Sequence, residues 1–309
     1  MLAQDTTELS DAIATQSSTE LARSARIPNL VVIGAMKAST TTFYELITRH
    51  PDIWFSTEKE PHYFTSPNYG NPDSWQRYLD LFKSAPVSAK FVGEASTGYS
   101  KQPHFGNTPQ RLYDDLDNPK LIYLVRDPVE RTVSNYQHAY LTSHYAPGTT
   151  LGKAIAQDPI LIDASCYDRQ IEAYLEVFTT EQLLIIPTHQ LHADASATMR
   201  RVEEFLDLPA YDGWNTPLQQ SNSKQSLKGS LTAQSILPRP IIYALRSIIP
   251  SGVRGKLKQM VSKPIEVPPI TESDRQLAFD RIKDDLNCLR ARLGATIDSW
   301  PSVQQLGGS

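Results

Sequence analysis

Short apolar runs alternate along this chain with segments whose apolar residues recur at helical spacing. Leu30 to Ile33, Lys90 to Val92, Leu121 to Val125 and Leu183 to Ile186 read as β-strands. Met199 to Leu206 places Met199, Val202, Phe205 and Leu206 on one helical face, with charges between. Thr271 to Leu293 predicts a second such helix, with Leu277, Ile282, Leu286, Leu289 and Leu293 toward the core. Strands alternating with helices predict an α/β fold: a central parallel sheet flanked by helices on both faces. Ligands on such sheets sit at the carboxyl ends of the strands. Three predicted strands end at chemically loaded residues: Gly34 to Lys37, Gly93-Glu94 and Arg126-Asp127.

Composition narrows the class. The 309 residues suit one large α/β domain, and 40% hydrophobic residues suffice for its core. A net charge of −4 argues against a nucleic-acid partner. The two cysteines, Cys166 and Cys288, are far apart. They form no metal-spaced pair and no disulfide framework, which points to a reducing compartment. No metal is expected, since no His/Asp/Cys cluster has ligand spacing. Residues 1–27 are polar and carry Asp5, Glu8, Asp11 and Glu20, which fits a flexible tail better than a targeting peptide. No apolar run is long enough to cross a bilayer. Residues 236–261 mix Ile241, Ile242, Leu245, Ile248 and Ile249 with Arg239, Arg246, Arg254, Lys256 and Lys258. That composition fits a helical lid or a peripheral membrane contact.

The richest stretch is Leu30 to Leu46, LVVIGAMKASTTTFYEL. An apolar run meets Gly34, then Lys37, then Ser39, Thr40 and Thr41 at the start of a helical segment. Strand, turn and helix present free N–H groups, a favourable dipole, hydroxyls and an ammonium to a phosphate. This is not the usual ATP loop G-x-x-x-x-G-K-[ST], since Met36 precedes the lysine and Ala38 follows it. The grip instead resembles the 5′-phosphosulfate loop of sulfotransferases that use 3′-phosphoadenosine 5′-phosphosulfate (PAPS).

A second segment, Tyr123 to Tyr140 (YLVRDPVERTVSNYQHAY), delivers Arg126 from a strand and Ser134 from two turns into the next helix. Arginine gives a forked, permanent charge suited to phosphate oxygens. The pattern resembles the 3′-phosphate site of the same family, which assigns that contact to Arg126 and Ser134. Asp127 and Arg131 are read as structural. A third segment, TEKEPHYF from Thr57 to Phe64, resembles the part of heparan-type sulfotransferases that carries the catalytic carboxylate. The resemblance makes Glu60 the general base, with His62 as its orienter or as the alternative base.

In the fourth segment, FVGEASTGYS from Phe91 to Ser100, heparan-type relatives usually carry lysine after the glutamate. Here Ala95 stands in that place, and Lys37 is left as the evident cation at the sulfuryl group. Glu94 is expected to orient Lys37 or a substrate hydroxyl, and Tyr63 and His138 to contact the acceptor. Asn222-Ser223-Lys224 resembles the region leading into a cofactor-covering loop, with Lys224 near the 3′-phosphate.

The resemblance covers about residues 28–303, leaving 304–309 as a short tail. It implies a P-loop-like sulfotransferase fold, PAPS as co-substrate without metal, and in-line transfer to a hydroxyl, less readily an amine. A carbohydrate, a lipid or a small metabolite could carry that group. Animal Golgi members have a membrane anchor, so a soluble bacterial version in the cytoplasm is implied. The alternatives are a P-loop-type kinase for a small metabolite and a catalytically silent nucleotide-binding or carrier-docking module.

Overall fold

Leu30–Gly34 (β1) is buried at every position, as only a strand covered on both faces can be. It lies at the centre of the sheet. A computed structural model describes residues 26–215, 230–231, 263–264 and 266–307. In it β1 pairs in parallel with Phe91–Ala95 (β3) on one side and Lys120–Val125 (β4) on the other. Ile53–Phe55 (β2) extends the sheet beyond β3, and Leu183–Pro187 (β5) beyond β4. The order β2-β3-β1-β4-β5, all parallel and flanked by helices, is the predicted architecture. Among the described residues, no helix is long and apolar enough to cross a membrane.

The crossover helices start and stop where their sequences say. Thr40–Ile47 (α1) follows β1. Pro72–Asp80 (α2) is capped by Asn71, whose side chain accepts from Ser74 N. Thr108–Asp115 (α3) precedes β4. Pro128–Leu141 (α4) follows β4 with proline in its first turn and Asp127 as N-cap. Leu151–Gln157 (α5), Ile160–Asp163 (α6) and Tyr167–Leu175 (α7) lead to β5. Thr188–Ala193 (α8) and Ala195–Leu206 (α9) come next, and the latter buries Met199, Val202 and Leu206.

Glu272–Leu293 (α10) opens with a reciprocal cap between Thr271 and Asp274 and buries Ala278, Phe279, Ile282, Leu286 and Leu289. Leu277, assigned to that face from the sequence, is instead 37% exposed, and Leu293 is only partly buried. Leu277 precedes Ile282 by five positions, about 140° around the helix, so Ala278 and Phe279 take the inward places. A last helix, Pro301–Leu306 (α11), is tied to the sheet: Ser302 donates from N and Oγ to Asp127 Oδ2 at 2.9 and 2.6 Å.

Candidate active site

All five strands point their carboxyl ends at one edge, and four of the loops leaving that edge build the site. The first follows β1. Gly34 has φ +143°, and a Cβ there would lie 2.1 Å from Ser100 Oγ, so no larger residue fits. Ala35 N donates to Leu124 O at 2.8 Å and Ala38 N to Ala35 O at 3.0 Å, which closes a tight turn. Lys37 and Ser39 hold left-handed φ values of +70° and +57°. Non-glycine residues pay for that conformation, and such strain gathers at functional sites. The Ser39 hydroxyl does not cap α1; it meets His192 Nε2, at the end of α8, at 2.8 Å. Among the described residues, no side chain caps the first N–H groups of α1, and no acidic residue in its first turn neutralises the positive end of the dipole. Ala38 is buried and offers only backbone, whereas Thr40 is half-buried and Thr41 exposed.

Lys37 is partly buried, and desolvation followed by the Arg126 guanidinium pushes its pKa down. Two cations singled out in separate motifs thus stand in each other's field. Arg126 follows β4; its backbone N donates to Tyr167 Oη at 3.3 Å, and its guanidinium lies 3.8 Å from Glu130. Asp127 is buried and serves as a cap, accepting from Glu130 N at 3.0 Å. Arg131 is fully buried and donates to Ser165 Oγ and Leu161 O at 2.6 Å each. Both are structural, as read from the sequence. Glu130, Ser134 and His138 recur every four residues on one face of α4. His138 is half-buried, and its pKa is lowered by desolvation and by Lys37, with Glu60 opposing. That single imidazole feels both the loop lysine and the candidate base.

Glu60 and His62 reach the same edge on the segment beyond β2. Ser56 N donates to Gly93 O, Glu60 N to Ala95 O at 3.1 Å, and His62 N to Ser96 Oγ at 3.1 Å. The segment so continues along the end of β3. Glu60 and His62 have φ of +55° and +54°, again left-handed. Glu60 Oε2 lies 2.9 Å from His62 Nε2 and accepts from Thr97 Oγ1 at 3.0 Å, while Oε1 has no partner among the described residues. The His62 hydrogen bond, outweighing burial, holds the Glu60 carboxyl below the usual carboxylate range. Gly98 makes room for this pair, since a Cβ there would come 2.8 Å from His62 Nδ1.

Two acceptor-site expectations are corrected. Glu94 is fully buried, and its oxygens accept from Tyr78 Oη at 2.8 Å, Tyr99 Oη at 2.7 Å and Ser96 Oγ at 2.7 Å. With three hydroxyls on it and no access to the cleft, it orients neither Lys37 nor a substrate. Tyr63 is 5% exposed and stacks on Tyr78 with ring centroids 4.9 Å apart. Its place is in an aromatic cluster, and its hydroxyl accepts from Gly70 N at 3.4 Å. Lys224, Asn222-Ser223, the segment 236–261 and nearly all of the tail 1–27 lie outside the described residues. His192 and Lys101, both brought to the loop by the fold, belong to no motif and went unread. Among the described residues, no group of His, Cys, Asp and Glu could hold a metal ion.

The pattern of the sulfotransferase domain family matches residues 28–239. A bifunctional heparan sulfate N-deacetylase/N-sulfotransferase 4 from Mus musculus is 27% identical over 299 residues, covering 89% of this chain and 31% of that protein. A membrane-associated sulfotransferase, kil1, from Dictyostelium discoideum is 40% identical over 111 residues, 36% of this chain and 22% of that one. The chain thus spans less than a third of the length of these relatives. The crystal structure of a sulfotransferase from Alicyclobacillus acidocaldarius superposes with a TM-score of 0.61 at 20% identity, covering 89% of this chain and 99% of that one. The shared fold is therefore the P-loop-like fold of that enzyme.

Proposed function

From the premise that this chain belongs to the sulfotransferase domain family, we propose that it moves a sulfuryl group from PAPS to an acceptor hydroxyl, less readily an amine. The observation that carries this reading is the meeting of Lys37, Arg126 and Glu60 at one sheet edge, with His138 in the field of both Lys37 and Glu60. One cation would hold each end of a bisphosphorylated adenosine, and a carboxylate would face the reacting end.

Residue by residue, Lys37 and the backbone N–H groups of Ala38, Ser39, Thr40 and Thr41 take the 5′-phosphate. Arg126, with Ser134 two turns along α4, takes the 3′-phosphate. Glu60 is ionised at neutral pH and turns its free oxygen to the acceptor, whose proton it accepts as the hydroxyl oxygen bonds to sulfur. The bond from sulfur to the 5′-phosphate oxygen breaks in the same displacement, and its electron pair leaves with adenosine 3′,5′-bisphosphate (PAP). Lys37 meets the charge that grows on that oxygen, a contribution of about 3–4 kcal/mol for one preorganised donor. His62 keeps Glu60 in place.

The acceptor is a hydroxyl compound among carbohydrates, lipids and small metabolites. The relatives' names, which include heparan sulfate glucosamine 3-O-sulfotransferase 3B1, put carbohydrate first. Incubation with radiolabelled PAPS and a panel of such acceptors tests the activity through the labelled product. Equal affinity for donors with and without the 3′-phosphate would contradict the assignment of Arg126.

A further inference from the structure

Lys101 sits in the turn beyond β3 and has no part in the motifs above. Its backbone is clamped on both sides. Ser100 N donates to Ile33 O at 3.1 Å, Gln102 N to Gln170 Oε1 at 2.8 Å, and Gln170 Nε2 back to Gln102 O at 3.0 Å. From this fixed base the side chain passes the Phe105 ring, 6.0 Å from its centroid, and brings its ammonium 3.5 Å from Met36 Sδ. Met36 is the residue before Lys37 in the loop.

Among the described residues, no carboxylate comes within ion-pair distance of this ammonium. Glu60 and Asp158 act on it only through space, and its pKa stays lowered by burial and by the Arg131 guanidinium. A thioether is a poor acceptor for an ammonium, so a partly dehydrated cation is held here without an adequate partner. Its neighbours say what lies opposite. Met36 belongs to the loop assigned to the phosphosulfate, and Glu60 is the assigned base; a group passing from donor to acceptor must lie between them. Lys37 feels Arg126 instead, on the nucleotide side.

Resting on the donor reading given above, we propose that Lys101 is a further catalytic residue, contacting the non-bridging oxygens of the sulfuryl group while Lys37 serves the bridging oxygen. Its preset position lets it bind that group without reorganisation. PAP lacks the sulfuryl group, so the contact belongs to PAPS alone.

The test is equilibrium binding of PAPS and of PAP to the full chain and to Lys101→Met, with Lys101→Arg as the conservative variant and thermal unfolding as the check on folding. Lys101→Met is expected to weaken PAPS tenfold or more and leave PAP within twofold, while Lys101→Arg keeps most of the preference. An unchanged ratio, or equal weakening of both nucleotides, overturns the assignment and leaves the donor reading standing. If the unaltered chain binds neither nucleotide, both fall together. Should Lys101→Met unfold, the ratio measured on Lys101→Gln decides in the same way.

Discussion

Glu60 and Glu94 stand at the ends of neighbouring elements, yet the fold puts them in opposite circumstances. Glu60 rides on a left-handed segment, about half exposed, with one oxygen held by His62 and Thr97 and the other open. Glu94 lies inside, both oxygens occupied by three hydroxyls, and burial raises its pKa while those hydroxyls oppose the shift. One environment keeps a carboxylate ionised and reachable; the other turns it into a buried hub joining β3 to α2 and the turn beyond. Chemical type alone does not make a base. Access and an unoccupied lone pair do.

Substitution at the two positions gives the widest separation. Glu60→Gln is expected to cut turnover by about 10²–10⁴-fold with PAP affinity and melting temperature unchanged. Glu94→Ala leaves three buried hydroxyls without an acceptor and is expected to destabilise the fold by several kcal/mol, about 1–3 kcal/mol for each orphaned group. A larger turnover loss in folded Glu94→Gln than in Glu60→Gln would reverse the comparison. Lys37→Ala should lower kcat by about 10²–10³-fold with a smaller change in donor binding, read from single-turnover rates. Preserved kcat would remove it from the reacting centre.

Smaller effects sharpen the contrast through pH. A base whose pKa is depressed stays ionised as the medium turns acid, so the acid limb of kcat/KM should lie below the ordinary carboxylate value of 4.5. His62→Ala removes the main cause and should move that limb upward; a limb that stays put would shift the base assignment to another group. A half-buried carboxyl away from these loops should behave in the opposite sense. Asp285 accepts from Asp168 N and Arg169 N, and burial raises its pKa from 3.8 to about 6. The folded state then holds its proton where the unfolded chain has lost it, and stability should fall as pH rises through that window. Asp285→Asn should flatten this slope in thermal unfolding.

Much of this was legible along the chain. The strand ends could be read from local period, and Lys37 with its hydroxyls and Arg126 with Ser134 stood out as candidates because a phosphate grip needs particular residue types at particular turns. The sequence also marked Glu60 and His62, though not which oxygen would be free. Position 94 misled, because a glutamate after a strand looks alike whether it faces solvent or three tyrosine and serine hydroxyls. Tyr63 misled in the same way, its neighbours in the aromatic cluster coming from residues 69, 75 and 78.

The order of apolar and polar residues by itself determined the parallel α/β sheet, the edge where its loops gather and the two segments proposed to grip anions, because these follow from local period and turn chemistry. Only the tertiary structure decided that Lys37 and Arg126 stand in each other's field, that Glu94 is sealed off, and that His192 and Lys101 reach the loop. Those relations are set by parallel crossovers, which bring distant residues to a common edge and carry no mark in the local sequence.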